Sequence, residues 1–205
     1  MTQPGIAVGP PSAPMTLAHW GELDEDEEGE LVDGALEEEE MPYYLHEVVV
    51  GYLIVLLHAW VAGRNGVVGG SEAKFAVKPG RGRKADLSIY LDGRRPSARA
   101  GVIQLPPDII VEVVSPRPRD ARRDRVTKLD EYAAFGVRFY WIVDQQIRSL
   151  EIYERTADGR YARALGAHAG CLSEVPGCAA LTLDLDAVWR EADRAEAVED
   201  EPTGR

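Results

Sequence analysis

The segment Asp108 to Asp144, DIIVEVVSPRPRDARRDRVTKLDEYAAFGVRFYWIVD, constrains the fold more than any other part of the chain. It opens on DIIVEVVS and closes on RFYWIVD, two runs rich in the β-branched and aromatic residues that a strand buried on both faces requires. Between them lies an amphipathic helical pattern, with Val126, Leu129 and Ala133 expected to face inward and Gly136 to close it. Strand, helix and strand in this order make the crossover that joins two parallel strands, and such crossovers are right-handed. A parallel pair has to be covered on both faces, so a single layer of sheet is excluded.

The rest of the chain supplies the cover. MPYYLHEVVVGYLIVLLHAWVAG predicts a helix of about five turns ended by Gly63. GELVDGALEEE predicts a hairpin around Asp33-Gly34, and residues 16–28 a short acidic helix. VVGGSEAKFAVK is extended, GRGRK reads as a turn, and ADLSIYL and SLEIYER read as strands, with YARAL, a loop and LTLDLDAVW finishing the body. The expected class is α/β or α+β, with a mixed central β-sheet flanked by helices. The domain spans residues 16–190, between an N-terminal tail (1–15) expected to be disordered and an acidic C-terminal tail (191–205).

The longest apolar stretch, Val48 to Ala62, has 15 residues and contains His58. That is short of the roughly 20 that span a bilayer, so it is expected to be a buried helix and no membrane is expected. The first residues lack the pattern of a signal peptide. The two cysteines, Cys171 and Cys178, form neither a disulfide framework nor a zinc motif, so a reducing compartment is expected, with the cytoplasm as default.

A net charge of −12 argues against a polyanionic partner until its distribution is read. Residues 21–40 carry −12 and residues 191–205 carry −4, which leaves residues 41–190 at +4. Like-charge blocks are usually solvated segments, so the global charge does not exclude DNA for the body. Pro116 to Arg125 holds five arginines, Arg117, Arg119, Arg122, Arg123 and Arg125. They are either phosphate contacts or an exposed face partly neutralised by Asp120 and Asp124.

Each of two predicted strands carries one carboxylate among apolar residues: Asp86 in KADLSIYL and Glu112 in DIIVEVVSP. A lone buried carboxylate is costly unless it is paired or ligated. Two that converge at a sheet face make a hard oxygen site suited to Mg²⁺, which needs few protein oxygens; the alternative is a turn residue and an arginine pair. Lys128 is either a cation that stabilises transition-state charge or an i,i+4 partner of Asp124. Glu47 is either a third acid or a helix-start acid. His46 and His58 lack metal spacing and read as ordinary core or surface histidines. Asp108 lies about 13 Å along the strand from Glu112 and reads as a turn or strand-start residue.

These residues together resemble the Uma family of restriction-endonuclease proteins in the PD-(D/E)XK nuclease superfamily. The likeness runs through EVVSP, Lys128-Leu129-x-x-Tyr132, Phe135-Gly136-Val137 and Tyr140-Trp141-Ile142-Val143-Asp144, with GELVDGAL, ADLSIY and LEIYER in order around them. The resemblance implies a restriction-endonuclease-like core and a Mg²⁺-dependent (alternatively Mn²⁺-dependent) endonuclease acting on duplex DNA as a symmetric homodimer. It implies Asp86 and Glu112 as metal ligands, Lys128 as the charge-stabilising lysine and Glu47 as the first-helix acid. Where the superfamily has its lysine, two residues after Glu112, this chain has Val114. The alternative is therefore a catalytically inactive nuclease fold that binds or regulates; a phosphoesterase for small nucleotides or RNA is a third. The acidic block 21–40 could mimic nucleic acid and shield the basic run.

Overall fold

The computed structural model describes residues 13–23, 27, 29–37, 43–114 and 122–197. Most of the expected N-terminal tail, the last part of the C-terminal tail, part of the acidic block and the SPRPRD breaker with Arg117 and Arg119 lie outside the described residues.

In chain order the elements are α1 (Leu17–Gly21), β1 (Glu30–Val32), β2 (Ala35–Glu37), α2 (Tyr44–Ala62), β3 (Val67–Gly69), β4 (Lys74–Lys78), β5 (Arg81–Lys84), β6 (Leu87–Tyr90) and β7 (Ile109–Val114). A π-helical turn (Arg123–Lys128) runs into α3 (Leu129–Phe135). Then come β8 (Phe139–Asp144), β9 (Ser149–Arg155), β10 (Tyr161–Ala167), β11 (Cys171–Leu172), β12 (Leu183–Asp184) and α4 (Leu185–Glu196). The main sheet has the order β10-β9-β8-β7-β6-β3. Only β7 and β8 are parallel among its described pairs, in register from Ile109↔Phe139 to Val114↔Asp144.

Every residue of β7 and β8 is buried. Strand alternation sorts them into two cores. Ile109, Val111 and Val113 pack with Phe139, Trp141 and Val143 against α2 and α4. Ile110, Val114, Tyr140 and Ile142 pack on the other face with Tyr132, Val137 and Phe75. Glu112 belongs to the second face, among apolar neighbours. By length and composition α2 is apolar enough to cross a membrane. Its Val49, Val50, Leu53, Leu57 and Val61 are nevertheless buried in the first core, as a sheet-covering helix requires.

A second sheet, β2-β1-β5-β4, sits at the N-terminal side. The β1–β2 hairpin turns at Asp33 and Gly34, both with positive φ, as a two-residue hairpin demands. GRGRK, expected as a turn, is strand β5, because its alternation places Arg83 inward to meet buried carboxylates. The short helix α1 is not acidic; its sequence is LAHWG. Its Trp20 is fully buried and donates from Nε1 to the Gly29 carbonyl at 3.0 Å.

Trp20 explains a glycine on β5. A Cβ at Gly82 would lie 2.2 to 2.6 Å from three atoms of the Trp20 ring. Gly82→Ala is therefore expected to cost about 1–3 kcal/mol through overpacking. A thermal melt should show the loss as a midpoint several degrees lower, and an unchanged midpoint would mean the Trp20 ring relocates freely.

The helical stretch after β7 departs most from expectation. Val126, expected inward, is 56% exposed, while Asp124, Lys128, Glu131 and Tyr132 are buried. The inward face is charged because it covers the one face of β7 that carries a carboxylate.

Candidate active site

The C-terminal ends of a parallel strand pair are where open α/β sheets place their ligands. Glu112 stands near that end of β7 and is 3% exposed. Its Oε1 accepts from the Tyr132 hydroxyl at 2.7 Å. Its Oε2 lies 3.0 Å from Lys128 Nζ. Lys128 and Tyr132 are four residues apart, so they share a helix face and each takes one oxygen of the same carboxylate. The K-L-x-x-Y spacing thus has a physical reason. The π-helical turn widens the backbone where Lys128 leaves it, a device concentrated at functional sites.

Lys128 also faces Asp124 Oδ1 at 3.5 Å, the expected i,i+4 contact, and Glu30 Oε1 at 3.7 Å. Burial acts to discharge the ammonium, but the Glu112, Glu30 and Asp124 carboxylates hold it well above the ordinary lysine range. Burial pushes the Glu112 carboxyl up to about 8; Lys128 pulls it back, while the Asp86 and Asp124 charges add to the rise. Asp124 is raised by burial for the same reason, against the pull of Lys128 and Arg123. Its Oδ1 is buried without a hydrogen bond among the described residues. Glu30 is the exception: burial raises its carboxyl, yet Lys128, Arg83 and Arg123 outweigh this and leave it below the usual value. Lys128 is shared by Glu112, Asp124 and Glu30, and Arg123 adds its charge to the last two.

Asp86 lies at the bend before β6. The β6–β7 register runs to Leu87↔Val111, and one further step sets Asp86 opposite Glu112. Its Oδ2 accepts from the Val113 backbone N–H at 2.6 Å and faces His46 Nε2 at 3.3 Å. Neither contact uses Oδ1. His46 turns its other ring nitrogen, Nδ1, toward Glu47 Oε1 at 3.3 Å. Burial works against a charge on this imidazole, but Asp86 and Glu47 raise it to about 9, so both ring nitrogens donate. His46 is therefore a bridge between two expected site acids rather than an ordinary histidine. Glu47 is 53% exposed.

Glu30 is the residue that charge reading misplaced. It belongs to the acidic block expected to be solvated, yet it is 1% exposed. Arg83 Nη1 donates to it at 2.5 Å and the Lys84 backbone N–H at 3.1 Å. Arg83 Nε also donates to Glu131 Oε2 at 2.6 Å, and Arg81 Nη1 to Glu131 Oε1 at 2.6 Å. Alternating charges thus run from β5 through Glu131 and Glu30 to Lys128. The only sequence signal was the alternation of β1, with Glu30 and Val32 on one face.

Of the described arginines of the basic run, Arg122 is exposed and Arg123 half-buried. Arg125 is held by Asp144 at 2.9 Å and Glu151 at 3.4 Å. Asp108 accepts from the Leu91 backbone N–H and from Arg94, a strand-start role. Val114 is a core residue, 2% exposed.

Among the described residues no group of three or more His, Cys, Asp or Glu side chains is arranged to hold a metal ion. A cation here would rely on two carboxylates, with water and phosphate oxygens completing its shell, which is the ordinary situation for Mg²⁺. Asp86 Oδ1, which neither contact above uses, and Asp124 Oδ1, 3.5 Å from Lys128 and without a hydrogen bond among the described residues, fit such an ion.

The family described as "Uma2: Putative restriction endonuclease" matches residues 16–186. A crystal structure described as a putative nuclease belonging to DUF820, from Anabaena variabilis, superposes with a TM-score of 0.69 at 16% sequence identity. The match covers 87% of this chain and 99% of that one, and establishes the same restriction-endonuclease-like architecture. No curated protein matches the chain.

Proposed function

The chain belongs to the Uma2 family, and from that premise we propose that it is a metal-dependent endonuclease that hydrolyses phosphodiester bonds of DNA. The observation that carries this is a buried Lys128 ammonium 3.0 Å from Glu112, with Asp86 one register step across the sheet. Bound by Asp86 and Glu112, Mg²⁺ or Mn²⁺ would polarise the scissile phosphate and lower the pKa of the attacking water.

The chain's own residues do the rest. Lys128 is charged and preorganised, so it can meet the charge that grows on the phosphate oxygens without reorganising at the moment of reaction. Tyr132 fixes one oxygen of Glu112. The Val113 N–H and the His46 imidazolium fix Asp86, and Glu47 orients His46. Arg122 and Arg123 can track the DNA backbone beside the site. Cutting both strands of a duplex in one encounter would use a second copy of the chain about a two-fold axis.

A second reading keeps the fold but not the chemistry. Val114 at the superfamily's lysine position favours it, because Lys128 and Glu112 would then be only a buried ion pair.

The test is incubation of supercoiled, linear and single-stranded DNA with the purified chain in Mg²⁺, in Mn²⁺ and in EDTA. Nicking or linearisation that EDTA abolishes is expected. Intact DNA under every metal condition would sink the nuclease reading in favour of the binding one.

A further inference from the structure

We propose that the cavity beside the start of α2 is a nucleobase pocket, occupied by one base of a DNA strand whose phosphate lies at the site; its ligand rests on the nuclease reading. The cavity holds about 230 Å³ and is lined by Tyr43, Tyr44 and Leu45, by Gln145 and Gln146 of the β8–β9 turn, and by Glu196 at the end of α4. That volume is below the roughly 300–1,000 Å³ of sites that enclose a whole ligand, so it suits one part of a larger molecule.

The lining selects the part. Among the described residues no cationic side chain contributes to it, and Glu196 opposes an anion, so a phosphate group fits poorly. Tyr44 is 76% exposed, an aromatic ring available for stacking on a base of any sequence. Gln145 is only 6% exposed, and neither its amide nitrogen nor its amide oxygen has a hydrogen-bond partner among the described residues. Leaving both unpaired is unfavourable, and one ligand edge with adjacent donor and acceptor would satisfy both. A glutamine amide makes that bidentate match with N6 and N7 of adenine. A buried amide can be reached only by a base taken out of its stack.

The pocket lies beyond the C-terminal end of β8, on the α2 and α4 side of the sheet. Asp144 pairs with Val114, so Gln145 lies three positions beyond the level of Glu112, about 10 Å along the strand. On the helix side, Leu45 is followed by His46, which contacts Asp86.

The experiment reads binding without turnover. Fluorescence anisotropy of the full chain in EDTA at fixed salt compares dye-labelled oligodeoxyadenylate, oligothymidylate and an abasic strand of equal length. The adenine strand is expected to bind about 10-fold more tightly than the abasic one. Tyr44→Ala, at an exposed position, should erase about 10-fold of affinity for base-bearing strands and leave the abasic strand unchanged. Gln145→Met, similar in volume, should remove the preference for adenine over thymine. Equal binding of all three strands, or a Tyr44→Ala chain indistinguishable from wild type, overturns the pocket. Free deoxyadenosine that saturates the site while the strand fails to displace it overturns the strand as the source of the base. A chain that binds bases and never cleaves would overturn the nuclease reading and support the pocket; one that cleaves while ignoring base content would do the reverse.

Discussion

Glu112→Gln is expected to lower the rate of Mg²⁺-dependent DNA cleavage on the order of 10³-fold, with the chain still folded. Glutamine keeps the shape of the side chain: its one carbonyl oxygen can accept from the Lys128 ammonium at the Oε2 position, while its amide N–H donates to the Tyr132 hydroxyl oxygen. What it removes is the negative charge, and with it one of the two hard ligands for the cation. Folding should change little, because Glu112 is a buried carboxylate short of compensation; Lys128 keeps Glu30 and Asp124 as partners. A stability change within about 2 kcal/mol is expected. Initial rates of plasmid nicking, with circular dichroism on the same samples, decide the matter. Equal rates for variant and wild type remove Glu112 from the mechanism.

Arg83→Met should have the largest effect on stability, about 3–5 kcal/mol, because it strips one partner from a buried charge network. Arg83 is 1% exposed and bonds Glu30 and Glu131 at once, so its loss leaves two buried carboxylates under-compensated. The effect has a pH signature. The Glu30 carboxyl is depressed in the folded chain, so it contributes stability above its unfolded value of about 4.5, lost as pH falls through the folded value. Without Arg83 that folded value rises, and acid unfolding begins at a higher pH. Urea titrations from neutral pH to pH 4 measure both effects; a loss under about 1 kcal/mol at neutral pH would mean Lys128 and Arg81 suffice for the two acids.

Much of the fold was legible because it rests on periodicity. The β7–helix–β8 crossover, the Asp33-Gly34 hairpin and the apolar helix each carry a local pattern that survives packing. The site was legible only where a residue violated its surroundings, as Glu112 does among isoleucines and valines. Residues that obey a local pattern while serving a distant partner stayed hidden. Glu30 sits in a run of acids, Arg83 in a Gly/Arg stretch that imitates a turn, and His46 beside a helix-start acid; each finds its partner 40 to 53 positions away. Val126 misled for the converse reason. Its apolar side chain suited an inward position, but the sheet beneath carried a charge, and helix-face reasoning cannot see the sheet.

Because β7 alternates between two separate cores, the side of the sheet on which Glu112 stands is stored as a parity along the strand. Removing one residue between Ile109 and Val111 while the pairing with β8 is kept would send Glu112 toward α2 and bring an aliphatic neighbour to Lys128. Substitutions in β7 can be absorbed as changes of size, but an insertion or deletion exchanges the two faces at once. The length of β7 is therefore expected to tolerate less change than its composition, and exchanges among its isoleucines and valines leave Glu112 facing Lys128 and Tyr132.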